Sequence, residues 1–219
     1  MSFVAALRGL LSLVAPRRCP GCDAPIEEDA RFCGACEPLL ERAGGALGTH
    51  GAFVYGGPLA DALRRYKYGG RTELAAPLGA LLAAEACDRF GGAIDVVVPV
   101  PPHPRRVAER GFDPSALLAL AAARALGARY VPSAIARVRD TPPQASLARA
   151  RRLSNVAGCF AVRAPLDEQR VLVVDDVRTT GATLFEMARA VDDAGAASIA
   201  LFALAVADPE DAERPARLR

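Results

Sequence analysis

The sequence predicts an α/β protein built on a doubly wound, mostly parallel sheet, preceded by a small N-terminal cysteine knuckle. Three observations carry this. The runs Ile94 to Val100, apolar except for Asp95, and Val171 to Val174, rich in β-branched residues, have the composition of strands buried on both faces. Alanine-rich stretches with helical spacing alternate with such runs, which is the pattern of a parallel sheet covered by helices. Four of the six cysteines stand as two CxxC pairs ahead of the first strand.

A chain of 219 residues accommodates one α/β domain and a small appendage, since domains run to roughly 100 to 200 residues. With 52% hydrophobic and 24% charged residues it falls in neither the disordered nor the membrane class. The formal net charge of +2 is unevenly spread: residues 101 to 162 carry ten basic and three acidic side chains, while the flanking segments carry a slight acidic excess. That basic block suits a phosphorylated ligand or a nucleic-acid backbone, and equally a solvated arginine-rich face. Among 27 basic residues Lys67 is the only lysine, which singles it out as a functional candidate.

In chain order, Ser2 to Ala15 reads as an amphipathic helix, with Phe3, Val4, Leu7, Leu10, Leu11 and Val14 on one face. It is shorter than the roughly 20 apolar residues that span a bilayer and is interrupted by Arg8. Without a basic start or a cleavage site it does not read as a signal peptide, so the expected location is cytoplasmic and the helix is expected to pack on the protein body. Cys19-Pro-Gly-Cys22 and Cys33-Gly-Ala-Cys36 follow, ten residues apart. In a reducing compartment two such turns point to a structural zinc ion held by four thiolates, whereas Cys87 and Cys159 read as small buried hydrophobes. Residues 1–44 are therefore expected to form the helix and zinc knuckle, 45–207 the α/β domain, and 208–219 a loose polar tail. Within the domain the expected elements are strands at 51–55, 94–100, 171–174 and 198–206, and helices at 59–66, 73–90, 114–126 and 182–194.

The chemistry concentrates in Val171-Leu-Val-Val-Asp175-Asp176-Val-Arg178-Thr179-Thr180-Gly181-Ala182-Thr183. A buried strand delivers two adjacent carboxylates to its carboxyl end, where ligands of such sheets bind. A loop rich in hydroxyls and glycine then opens a helix, so that backbone N–H groups, threonine hydroxyls and the helix dipole converge on one phosphate. It is not a Walker loop, which requires GxxxxGK[ST].

This stretch resembles the phosphoribosyl-diphosphate signature of type I phosphoribosyltransferases. Further stretches extend the similarity to the ComF family, also called amidophosphoribosyltransferase-like, whose members join a cysteine-pair zinc module to that fold. They are the cysteine pairs, Leu63 to Gly70, Val97 to Arg106 with Arg110-Gly111-Phe112, and Asp140 to Gln144 through Arg152 to Val156. The resemblance implies that Asp175 and Asp176 meet the ribose hydroxyls. It implies that Arg178, Thr179, Thr180, Gly181, Ala182 and Thr183 surround the 5′-phosphate. By the same resemblance the turn after Val100 is the pyrophosphate loop, with His103, Arg105, Arg106 and Lys67 as contacts, and Arg137 to Asn155 is a hood that closes over the ligand. Mg²⁺ would accompany the ligand, and the family is associated with DNA uptake in natural transformation. Two positions depart from the pattern: Asp113-Pro114 replaces a frequent Asn-Gln, and Arg178 replaces an aliphatic residue.

Three functions are compatible with this reading: a phosphoribosyltransferase or ligand-binding relative of one, a single-stranded-DNA-binding competence protein, and an adaptor that docks a DNA-uptake helicase. The intact acidic pair and phosphate loop favour the first, and an aromatic content of 5% without tryptophan disfavours a base-stacking platform.

Overall fold

The computed structural model describes residues 17–27, 29–44, 51–139 and 157–207. The expected N-terminal helix, most of the expected hood and the tail lie outside the described residues. Among the described residues no helix is long and apolar enough to cross a membrane.

Seven strands are described: β1 (Gly51–Val54), β2 (Val96–Pro99), β3 (Arg129–Tyr130), β4 (Ile135–Arg137), β5 (Phe160–Val162), β6 (Arg170–Arg178) and β7 (Ser198–Val206). Five of them form one sheet in the order β1-β7-β6-β2-β3, every pair parallel. The helices are α1 (Gly57–Tyr68), α2 (Ala75–Phe90), α3 (Pro104–Arg110), α4 (Pro114–Leu126) and α5 (Ala182–Asp193).

Both faces of the sheet are covered, and the strand alternation divides the core in two. Leu172 and Val174 of β6, Val97 of β2, and Phe202 and Leu204 of β7 pack with α1, α2 and α4. Val171 and Val173, Val96 and Val98, and Leu201 and Ala203 pack on the opposite side with Leu184, Met187 and Val191 of α5. Helices α2 and α4 approach closely because Gly79 faces Ala121, where an added Cβ would stand 2.9 Å from the Ala121 methyl.

The cysteine module is built into the first of these cores. Cys19, Phe32 and Cys36 cluster with Leu59, Leu63 and Tyr66 of α1. The chain then runs into β1 through backbone hydrogen bonds from Ala43 N–H to Ala52 O and from Val54 N–H to Glu41 O. Arg42 pairs with the buried Glu85 of α2 at 2.9 Å.

The structure bears out the expected fold class and differs from the expected elements in three places. β6 continues four residues past Val174, so that Asp175 and Asp176 lie within the strand, held there by pairing with β7. The expected loop after Val100 is only Pro101 to His103 before α3 begins, with Pro104 at the helix start and His103 as its cap. β3, β4 and β5 were not expected, since strands of two or three residues carry no readable period; β4 and β5 pair antiparallel as a separate ribbon from which residues 138–159 depart and return.

Leu118 is fully buried between α2, α4 and the sheet. Leu118→Ala is expected to cost about 2 to 5 kcal/mol of stability, read as a lowered denaturant midpoint with unchanged slope.

Candidate functional site

The onward connections of β2 and β6 diverge: β2 leads to β3 on one side of the sheet, and β6 leads to β7 on the other. Between the carboxyl ends of these two neighbours lies a cleft of about 240 Å³, the place where a sheet of this kind binds ligands. Its lining comes from α1 (Lys67, Tyr68), the turn after β2 (Val100, Pro101, Pro102), α3 and the turn beyond it (Arg106, Arg110, Asp113), the start of α4 (Pro114, Ser115), β4 (Arg137), and the end of β6 into α5 (Asp175, Asp176, Val177, Thr179, Thr183).

The acidic pair sits at the centre. Asp176 is buried and receives the Lys67 ammonium at 2.8 Å. Burial opposes the charge on Lys67, yet the Asp176 and Asp175 carboxylates outweigh it and hold the lysine above its ordinary value. Asp175 Oδ1 accepts hydrogen bonds from Ser115 Oγ and from the Asp176 backbone N–H, both at 2.9 Å. Burial, together with the Asp176 charge beside it, pushes the Asp175 carboxyl up to about 7. Asp113 caps α4 by accepting from Ala116 N–H at 3.0 Å, and burial with the nearby Asp176 charge raises it to about 6. Asp113, Asp175 and Asp176 thus crowd the cleft's centre, with the Lys67 ammonium on Asp176 and the Arg110 charge acting on Asp113. Such a site gains from hydroxyl donors or added positive charge.

The other half of the cleft follows from the turn into α5. Gly181 takes φ +80 as the N-cap, and a Cβ there would stand 3.0 Å from Arg178 Nε and from the Phe185 ring. A glycine N-cap supplies no oxygen of its own, and the first-turn N–H groups of a helix have no intrahelical partner. Thr179 and Thr183 line the cleft beside them, whereas Thr180 turns inward, its Oγ1 accepting from Ala182 N–H at 3.4 Å.

Of the expected site residues, Lys67, Arg106, Asp175, Asp176, Thr179 and Thr183 meet in the cleft. Arg178, Thr180, Gly181 and Ala182 form the backbone frame behind it. Arg105 points away, 72% exposed and paired with Glu109 at 2.9 Å. The His103 Nδ1 accepts from Arg105 N–H at 3.3 Å, so this imidazole shapes the turn into α3. Tyr68, Arg110, Asp113 and Ser115 also line the cleft and were not among the expected site residues, whereas Arg137 was expected only as the start of the hood. The signals for Asp113 were its departure from the family pattern and, with Ser115, the Asp-Pro-Ser helix start.

Apart from the cleft, the sulfurs of Cys19, Cys22, Cys33 and Cys36 all lie within 4.8 Å of one another. A tetrahedral zinc thiolate site has sulfurs about 3.8 Å apart, from a Zn–S distance of about 2.3 Å, so the four residues fit the ion. The Cys36 backbone N–H and the Cys22 thiol pull Cys33 down to about 6, while burial and the neighbouring thiols push Cys36 up. Sulfurs that compete for protons in this way are close enough to share a cation. Cys159 is fully buried and Cys87 partly so, and both stand outside the cluster.

A family profile, the phosphoribosyl transferase domain, matches residues 76–217. The DNA utilization protein YhgH of Escherichia coli strain K12 is 32% identical over 193 residues, covering 85% of this chain and 82% of that protein. Competence protein F of Haemophilus influenzae is 27% identical over 197 residues, covering 85% and 83%. Among solved structures, the glutamine phosphoribosylpyrophosphate amidotransferase of B. subtilis, at 25% identity, overlaps 56% of this chain and 24% of that one with a TM-score of 0.36, too distant a likeness to carry an argument. The domain match over most of the chain, the relatives aligned over 85% of it, and the parallel sheet with its four-cysteine cluster place the chain in the ComF family of phosphoribosyltransferase-domain proteins.

Proposed function

We propose that the cleft binds phosphoribosyl diphosphate together with Mg²⁺. The observation that carries this reading is the acidic pair of β6, Asp176 buried and Asp175 half-buried, lying in one cleft with the glycine-capped start of α5. A vicinal diol next to a phosphate monoester matches both halves. The carboxylates of Asp175 and Asp176 accept from the ribose hydroxyls, while the Thr179–Thr183 turn and the helix dipole hold the 5′-phosphate. Arg106 from α3 is a donor to the pyrophosphate, and Lys67, which meets Asp176 at the cleft's centre, is a second. Mg²⁺ accompanying the ligand would supply charge neutralisation for the pyrophosphate leaving group. Arg110 and Arg137 add to the positive rim. Transfer of the phosphoribosyl group is the reaction such a site serves, with the acceptor to be found by screening nucleobases and amines for pyrophosphate release. We further propose that the cysteine cluster holds one structural zinc ion.

The names of the relatives favour a second reading, in which the same chain serves DNA uptake without turnover, binding single-stranded DNA or docking a DNA-uptake helicase. If the basic segment binds a strand through phosphates, affinity falls steeply with salt and drops on charge reversal at Arg149, Arg151 and Arg152, which lie outside the described residues. Binding indifferent to both salt and these substitutions overturns that reading.

For the first reading, calorimetric titration should show phosphoribosyl diphosphate binding in the presence of Mg²⁺. Asp175→Asn with Asp176→Asn should weaken it about ten-fold to over a hundred-fold, since each charge-assisted hydrogen bond contributes roughly 1.5 to 3 kcal/mol. Arg106→Ala should weaken phosphoribosyl diphosphate while leaving ribose 5-phosphate nearly unchanged. Unaltered affinity in the double aspartate variant refutes the site.

Elemental analysis of reduced protein should give about one zinc per chain, lost in Cys22→Ser. Zinc-free wild-type protein disproves that assignment.

Asp175 also carries a stability signature. Its folded pKa, about 7, lies above the ordinary 3.8, so the folded state holds the proton longer and the residue's contribution to stability is lost as pH rises through 7. Asp175→Asn should therefore stabilise the protein by about 1 kcal/mol or more, with the gain growing between about pH 4 and 7 and level above, even as the ligand is lost. Thermal midpoints across that range, equal for both proteins at every pH, would contradict it.

A further inference from the structure

We propose that the cysteine module is a positioning element of the cleft: it grips α1 at both ends and through that helix holds the Lys67 ammonium on Asp176. The inference rests on the cleft reading above for its consequence, but its contacts stand without it.

At the start of α1, Gly21 of the first CxxC turn lies against Pro58 so closely that an added Cβ would come within 2.6 Å of the proline Cβ and 3.2 Å of the Cys36 sulfur. At the far end, Arg65 Nη1 donates to Pro20 O at 3.4 Å. Just beyond the helix, Arg71 Nη2 donates to Asp23 Oδ1 at 3.2 Å. Asp23 is itself held in the left-handed region, at φ 67, by the turn it closes: its N–H donates to Cys19 O at 2.9 Å. The two arginines that hold the module therefore bracket Lys67 in sequence, on the last turn of the same helix. Between them Tyr66 fixes the rest of that turn, its hydroxyl donating to Pro114 O at 3.0 Å and its ring packing 5.1 Å from Phe112.

Each contact alone is weak, because Arg71 and Asp23 are partly exposed. Their common dependence on the geometry of one cysteine turn makes them act together. When four thiolates close on zinc, Pro20, Gly21 and Asp23 are locked relative to one another, and α1 has a rigid support at its two ends. When the thiolates are released, the support loosens and the Lys67 to Asp176 pair at the helix end is the contact most directly exposed to the change.

Lys67 is the only lysine in the chain, which makes it directly readable. Reductive methylation of the full-length protein with ¹³C-formaldehyde labels Lys67 and the terminal amine, and the two are separated by peptide mapping and by their NMR signals. In the metal-loaded protein Lys67, paired and largely buried, should label slowly. Removal of the metal with a chelator under reducing conditions should speed labelling by about five-fold or more, and so should Arg65→Ala with Arg71→Ala in metal-replete protein. Alkylation of the fully buried Cys159 reports unfolding of the sheet, and it should stay slow throughout.

An equal labelling rate with and without metal, and in the double arginine variant, overturns the proposal. So does acceleration that rises only in step with Cys159 alkylation, since that reports unfolding of the domain and no coupling through α1. The labelling outcome does not depend on any ligand. If phosphoribosyl diphosphate fails to bind the wild-type protein, the cleft reading falls while the labelling still decides the coupling. If it binds, its affinity should drop in the same variants that release Lys67.

Discussion

The pair between Lys67 and Asp176 is the contact on which the arrangement of the cleft depends. It joins a helix from the first third of the chain to a strand from the last third, with the lysine side chain 19% exposed and the aspartate 10%. Two charges withdrawn from water are expensive, and leaving either without the other costs several kcal/mol. Once β6 carries Asp176 into the sheet, α1 is constrained to arrive over its carboxyl end with Lys67 facing inward. Tyr66, one residue earlier, can then reach Pro114, and the start of α4 is drawn to the same place with Ser115 on Asp175.

That concentration of buried carboxylates opposes folding. Asp113, Asp175 and Asp176 crowd a region with one lysine, and two of the three have raised pKa values because burial and mutual repulsion disfavour their ionised forms. A core selected for stability alone would not place them there. The long pairing of β6 with β7 and the fully covered sheet hold the strand end in register despite this. Preorganisation of this kind lets polar groups meet a ligand without moving, which is where binding and transition-state stabilisation gain most.

The cysteine module adds a second constraint, along the same helix. Its residues share a core with α1, and two of its sulfurs, those of Cys19 and Cys36, are buried with Leu59 and Leu63. In this chain the module belongs physically to the domain, and its two exposed or partly exposed sulfurs, Cys22 and Cys33, complete the cluster from the solvent side. The cleft and the cluster are therefore parts of one packed unit that share the α1 helix.

The sequence by itself determined the strands β2, β6 and β7, because burial on both faces demands unbroken apolar runs, and it determined α4 and α5, whose caps Asp113 and Gly181 are local signals. It also determined the acidic pair, the threonine-glycine turn and the two CxxC pairs, because each is a short segment whose chemistry is complete within a few residues. Tertiary structure alone decided what comes from a distance. Arg105 and Arg106 are indistinguishable as neighbours in sequence, but α3 begins at Pro104, and successive residues on a helix face different ways, so one turns to Glu109 and the other to the cleft. Lys67 was conspicuous for its rarity, yet its attachment to Asp176, 109 positions away, depends on how α1 lies across the sheet. The ribbon of β4 and β5 is likewise set by pairing between segments more than twenty residues apart and too short to carry a period. Local chemistry is written in adjacent residues, whereas the direction of a side chain into a shared cleft is fixed only when the helices and strands that carry it pack together.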